Sequence, residues 1–446
     1  MATTDVQAVD EGKLEQVLGQ LVTDMGAAMN GVLVLMGVEL GLWRALDNAG
    51  PLTADALAER AGMRERYVRE WLSAQAASGY LTYDAATGAF TLPPEQAMAF
   101  AREDSPVYLA GGYRLISSVF KDRQKITERI RGGEGFGWHE HDPELFAGTE
   151  QFFRPGYRAN LVGEWLPALD GVVDKLSAGA KVADIGCGHG VSTTLIAQAF
   201  PKSTVHGFDY HDASIDRARE LAAEQGVDNA EFAVASATSY PGHGYDLVCY
   251  FDCLHDMGDP VGALRHARET LADDGTVMLV EPFANDSLVE NLNPVGRMYY
   301  AASTLVCTPS SLDQPVALGL GAQAGQQRLG AIAAEAGFGR FRRGNRDAVQ
   351  PRAGGAPLRT GQRISRTASI SRVSRVPFGV TTNGRSISGR PDNVAQVLCQ
   401  ATCGTGRVLG QVEEVAQVGD QHSAGLYRKR PTGTDLLRGP GSSGTL

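Results

Sequence analysis

The stretch VADIGCGHGVST (182–193) sets Asp184 two residues ahead of three alternate glycines, Gly186, Gly188 and Gly190. Glycines in such a turn let the backbone approach a ligand closely, and the helix that follows offers free N–H groups to a carboxylate. No lysine follows, so the turn is not a phosphate-gripping loop. Val191 stands where a dinucleotide fingerprint needs its third glycine. Asp209 lies 19 residues beyond Gly190, at the end of the next strand pattern, where a carboxylate can take both hydroxyls of a ribose. Tyr210 follows it and can stack on an adenosine. Together these residues are suited to a nucleoside-bearing ligand, whereas an isolated aspartate at such a place is more commonly a helix cap. Further on, YFDCLHDMGDP carries His255 and VMLVEPF carries Glu281, both at strand ends. An imidazole titrating near pH ~6.5 suits proton transfer. A histidine capping the next helix and an ordinary strand-end carboxylate are the plainer readings of the same two residues.

The elements that must position these groups form an alternating series from Lys181 to about Arg343. Strands are predicted at 181–186, 203–208, 230–235, 245–251, 277–282 and 339–343, and helices at 190–200, 213–225, 260–272 and 324–336. Asp259 caps the helix that begins with Pro260. Such alternation means an open parallel sheet with helices on both faces and a ligand at the carboxyl ends of its strands. Upstream, an apolar helix pattern covers 29–48, and Thr53 caps a second helix. A third helix places Tyr67, Val68, Trp71, Leu72 and Ala74 on one face, and the alternating segment 81–92 reads as a hairpin. Helix, turn, helix, hairpin is a winged helix. The chain divides into a winged-helix part (1–100), a helical connector and lid (101–178), the α/β domain (179–343) and an atypical basic tail (344–446). In the connector, Phe152, Phe153 and Tyr157 are placed as a lid over the ligand, although a plain helix face would show the same pattern. In a segment beyond the fifth strand, Met298, Tyr299 and Tyr300 wall an apolar pocket.

Asp184 with its GxGxG turn resembles motif I of the class I S-adenosylmethionine (SAM) methyltransferases. The LHDMGD segment resembles the motif in which O-methyltransferases carry their catalytic histidine. Over roughly 29–343 the chain resembles bacterial small-molecule O-methyltransferases with an N-terminal winged helix. The resemblance implies a Rossmann-like methyltransferase domain, SAM as cofactor, a small-molecule acceptor methylated at oxygen, and a homodimer formed through the N-terminal domain. It implies His255 as general base, with Glu281 orienting it. The candidate cofactor contacts are Asp184, Gly186, Gly188, Gly190, Asp209, Tyr210, Ser236, Ala237, Phe251 and Tyr157. Two positions depart from the family. Ser236 replaces an aspartate that often holds the adenine amino group, and Met257 replaces a tryptophan after the His-Asp pair.

Composition limits the alternatives. The 446 residues carry a net charge of −10, and the six cysteines show no paired metal spacing. A reducing cytoplasm is expected, and the polar, acidic N-terminus does not read as a signal peptide. The apolar run 29–43 contains Glu39 and, being too short to span a membrane, is expected as a buried helix. WHEHD (138–142) lacks a third ligand at metal spacing, so no metal is expected and a substrate-side loop is the reading. Residues 1–100 hold 6 basic against 13 acidic side chains, and signs alternate along 64–70. Nucleic-acid binding needs a basic surface, so an interaction role fits this winged helix better. A winged-helix transcription regulator and a non-catalytic SAM-binding protein remain the alternatives. Residues 344–446 carry 14 Lys and Arg against 6 Asp and Glu and no amphipathic period. The codons for GNRDAVQPRAGGAP (344–357), read one nucleotide forward, permit Ala-Thr-Glu-Thr-Pro-Phe-Asn-Leu-Val-Leu-Glu-Ala-Arg. That string resembles the family's terminal strand. The tail is therefore read as out-of-frame, largely irregular or pairing a makeshift strand with the sheet edge, with the antiparallel strand that closes the family's seven-stranded sheet lost or scrambled.

Overall fold

The computed structural model describes residues 9–343 and 369–372. A seven-stranded sheet organises the larger part, in the order β5-β4-β3-β6-β7-β9-β8. Its strands are β3 (Lys181–Ile185), β4 (Thr204–Asp209), β5 (Ala230–Val234), β6 (Tyr245–Phe251), β7 (Leu271–Val280), β8 (Arg340–Arg343) and β9 (Ser369–Arg372), and every pairing is parallel. The expected strands match to within a residue or two except β7, which starts at Leu271 through a register irregularity between Tyr245 and Leu247. Alternate side chains serve opposite faces of the sheet. Ala183, Ile185, Val248 and Leu279 pack with Leu264 of α11 (Pro260–Thr270) and Leu329 of α14 (Gly325–Glu335). Val182, Leu247 and Met278 pack with Leu176 of α8 (Val172–Ala178) and Ile196 of α9 (Val191–Ala199). Burial on both faces explains why the central strands read as continuous apolar runs.

The winged helix is present. Thr53 Oγ1 accepts the Ala56 N–H at the start of α3 (Ala54–Ala61), and α4 (Glu65–Ala77) leads to the hairpin β1 (Thr82–Asp84) and β2 (Ala89–Thr91). The inward stripe of α4 has Val68, Trp71 and Leu72 as expected, but Gln75 in place of Tyr67 and Ala74. Tyr67 is 75% exposed, whereas Gln75 is fully buried and donates to Asn30 Oδ1 at 2.9 Å.

The expectation for the first helix is corrected. The apolar run 29–43 is not one buried helix. Most of it belongs to the end of α1 (Glu11–Glu39), which turns only Asn30, Val34 and Gly37 inward, while Leu42 and Trp43 begin a separate short helix and are buried. Trp43 and Trp71 donate their indole N–H groups to Val34 and Leu33 carbonyls and fix this end of α1 to the domain. Along the rest of α1, Leu14, Val17, Leu18, Leu21, Val22, Met25, Met29, Val32 and Met36 are exposed. By length and composition the whole helix would suffice to cross a membrane. In the sheet, the place of the antiparallel strand, between β7 and β8, is taken by β9 of the tail, a makeshift strand of the kind expected, running parallel to both neighbours. Ladder hydrogen bonds join main-chain groups, so an open strand edge can pair with a segment of unrelated sequence. The rest of the expectation for 344–446 lies outside the described residues.

The connector comprises α6 (Ala110–Gly132) and α7 (Glu144–Asn160), joined by a loop that reaches the carboxyl ends of the strands.

Candidate active site

The glycine turn follows β3. Gly186, Gly188 and Gly190 have φ of 69°, 52° and 74°, the left-handed region where glycine avoids the Cβ penalty. The Gly186 and Cys187 N–H groups donate to the Phe208 carbonyl at 2.7 and 3.1 Å, tying the turn to β4. Asp209, at the end of β4, accepts the Gly188 N–H through Oδ2 and the His211 N–H through Oδ1, both at 2.9 Å. Burial raises its pKa, and the two N–H groups act against that rise. Beside this turn lies a cavity of about 470 Å³. Gly186, Gly188, Asp209, Tyr210, Ser236, Ala237, Phe251 and Tyr157 all line it.

Asp184 and Gly190 sit behind that wall. Asp184 is fully buried on the α9 side of β3, and its Oδ2 accepts the Ser192 and Thr193 hydroxyls at 2.6 Å each. Burial lifts its carboxyl to about 6 despite these donors. Asp184 therefore anchors the first turn of the helix that the glycines lead into. A Cβ at Gly190 would lie 2.6 Å from the Phe232 ring, so that glycine permits close packing.

His255 and Glu281 meet at the ends of β6 and β7, with His255 Nδ1 2.5 Å from Glu281 Oε2. The other carboxylate oxygen accepts the Leu254 N–H at 3.0 Å. Burial favours neutral imidazole, but the Glu281 charge, with the Cys307 thiol hydrogen-bonded to the ring, holds the His255 pKa well above its ordinary value. Both residues are buried and neither lines the cavity, whose wall passes them at Cys253 and Asp256. Tyr299 and Cys307 pack together with Ala322 in an apolar cluster. Met298 is 42% exposed, so the three residues expected to form one acceptor wall do not act alike.

Several cavity residues were not singled out in the sequence. Trp138 donates its indole N–H to Asp256 Oδ2 at 2.7 Å across 118 residues of chain. Burial lifts the Asp256 carboxyl to about 6, with His255 and this bond opposing the rise. The loop bearing Trp138 is pinned from both sides. The Phe136 N–H donates to the Pro309 carbonyl, and Asp122 Oδ2 receives His141 Nδ1 and the Asp142 N–H. The aromatic run GFGW between two helices was the available signal for this loop. The two histidines of WHEHD diverge. His141 is buried on Asp122, while His139, Glu140 and Asp313 bring ligand atoms within 4.8 Å of one another. Glu140 already receives Arg129 and the Gly137 N–H. Of the aromatic lid, Phe153 and Tyr157 reach the cavity, and Phe152 packs against Gly112.

The sheet order, the glycine turn after β3 and the acidic residue ending β4 fit the Rossmann-like methyltransferase domain that the sequence resembles, here joined to an N-terminal winged helix. Residues 176–337 match the family model described as "Methyltransferase domain", and residues 28–102 match the "Rv2258c-like winged HTH domain". Among characterised relatives, the 27-O-demethylrifamycin SV methyltransferase of Amycolatopsis mediterranei is 29% identical over 139 residues, covering 29% of this chain and 51% of the relative. The chain thus spans about half the length of that relative. Among solved structures, the mitomycin 7-O-methyltransferase MmcR superposes with a TM-score of 0.54 at 21% identity, over 74% of this chain and 94% of that one. Human N-acetylserotonin methyltransferase in complex with SAM gives 0.52 at 16%, over 76% and 94%. At these identities the likeness is one of fold.

Proposed function

We propose that this chain is a SAM-dependent methyltransferase that transfers a methyl group to a small-molecule acceptor, at oxygen. The observation that carries the reading is the cavity itself. It joins the glycine turn and Asp209 to the strand ends beside His255 and Glu281. The residues fit SAM. The backbone of Gly186 and Gly188 borders the space without Cβ atoms, Asp209 can accept from a ribose, and the wall carries no Lys or Arg among the described residues to repel a sulfonium. Bound there, SAM would supply a methyl group activated by its sulfonium.

The protein aligns the acceptor and removes its proton. Glu281 accepts hydrogen bonds only, so His255 Nδ1–H donates to it, and Nε2, which the Cys307 thiol meets in this structure, is the nitrogen that would take the acceptor's proton. Glu281 also stabilises the imidazolium that results. In the acid range His255 already holds its proton and cannot act, so the raised pKa places the productive form toward higher pH.

The exposed apolar side chains of α1 support a homodimer through the N-terminal part. α4 supports the interaction role over DNA binding, because Arg66 pairs with Glu70 and Arg69 with Glu65. The four described cysteines are free thiols, which suits the cytoplasm. A second reading, a SAM-binding protein without catalysis, is favoured by one observation: His255 lies outside the cavity wall. Calorimetry with S-adenosylhomocysteine (SAH), followed by methyl transfer from labelled SAM to phenols, acids and lipid-like acceptors, separates the readings. No SAH binding sinks both, and binding without transfer to any acceptor favours the second.

A further inference from the structure

We infer that Asp252 is the carboxylate that receives the α-ammonium group of the cofactor's methionine portion, positioned for that task by Tyr157. The inference rests on the SAM reading above.

Asp252 is the first residue past the end of β6, and its φ of 51° is in the left-handed region. Its N–H donates to the Val280 carbonyl at 2.7 Å, which fixes that backbone. The next residue, Cys253, donates its thiol to the Ile185 carbonyl at 3.1 Å, and a Cβ on Gly186 would come within 2.9 Å of that sulfur. Asp252 is thereby held against the start of the glycine turn. Its Oδ2 accepts the Tyr157 hydroxyl at 2.8 Å, while its Oδ1 is buried without a hydrogen-bond partner.

The other carboxylates deep in the cavity wall already have donors. Glu150 has His189 and Arg154, Asp209 has two backbone N–H groups, and Asp256 has Trp138. Among the described carboxylates that line the cavity, Asp252 alone keeps a buried oxygen without a donor; Asp184 Oδ1 also lacks one but lies behind the wall. No Lys or Arg lines the cavity among the described residues, so the missing cation has to come from a ligand. A buried acceptor without a donor is costly, and an ammonium group is the donor that best relieves a carboxylate. Burial and the Glu281 charge lift the Asp252 carboxyl to about 7, a penalty that a neighbouring cation removes.

The test is calorimetry on the full chain with three ligands: SAH, its deaminated analogue, and 5′-methylthioadenosine, which lacks the whole amino-acid portion. The wild type should bind SAH at least tenfold more tightly than the deaminated analogue. Asp252→Asn suits this site, since asparagine tolerates positive φ and keeps an acceptor for Tyr157. It should lose tenfold or more in SAH affinity and leave 5′-methylthioadenosine binding unchanged. Tyr157→Phe should weaken SAH by a smaller factor and also spare 5′-methylthioadenosine. Equal wild-type affinity for SAH and its deaminated analogue overturns the inference even if neither variant folds. So does an equal loss for SAH and 5′-methylthioadenosine in Asp252→Asn. If the wild type binds SAH while Asp252→Asn binds it equally well, this inference fails alone. If the wild type binds no SAH, the cofactor reading fails with it.

Discussion

The glycine turn and the His255–Glu281 pair lie at neighbouring strand ends and are built in opposite ways. The turn is made of backbone. Gly186 and Gly188, with positive φ and N–H groups aimed at the Phe208 carbonyl and Asp209, shape a surface open to the cavity. The pair is made of side chains, buried behind the wall, and its strength comes from a short contact in a water-poor setting. The difference separates two demands. A cofactor must enter and leave, whereas a base must hold one tautomer in one place.

That contrast predicts which damage affects binding and which affects chemistry. The largest effect is expected for His255→Ala, with turnover falling a hundredfold or more while SAH binding stays at the wild-type level, as for loss of a general base. Paired kinetics and calorimetry check it, and unchanged turnover on a genuine acceptor would reduce His255 to a structural residue. Asp209→Ala should have the reverse profile. It removes a charged acceptor from the ribose position and should weaken SAH by about 1.5–3 kcal/mol. A loss of turnover with full SAH affinity would break the division between the two regions.

Glu281→Gln should give a pH signature. Turnover needs neutral His255 and so rises with pH through the histidine's pKa. Glu281 holds that pKa above the ordinary value, so the rising limb of the wild type lies above pH ~6.5. With that charge gone, burial is opposed chiefly by the Cys307 thiol and the limb should move to lower pH, with a reduced plateau. A limb that stays in place would mean that another group titrates. The smallest effect on chemistry is expected in α1. Leu21→Glu and Met25→Glu on its exposed side should dissociate the proposed homodimer in sedimentation runs and leave SAH affinity within about twofold, because no residue of α1 lines the cavity.

Much of the fold was legible locally. The strands and helices from β3 to α14 were readable because a doubly covered parallel sheet needs runs of buried side chains separated by amphipathic helices. The caps at Thr53 and Asp259 were readable because they act within three residues. The edge of the α4 stripe was misplaced, because Gln75 is buried with its bond to Asn30, a partner 45 residues away. The apolar run of α1 carried no sign of whether its partner belongs to the same chain.

The sequence by itself determined the glycine turn, the Asp209 spacing and the His255 motif, since each depends on neighbours along the chain or on a strand end. Only the tertiary structure decided which of these face the ligand space. Asp184 turned inward because alternate residues of β3 serve opposite faces, and its side chain meets Ser192 and Thr193 of α9. Tertiary packing also set Trp138 on Asp256 and left one oxygen of Asp252 without a donor. Those outcomes depend on which distant segments meet at the ends of the strands, and spacing along a single chain does not encode that.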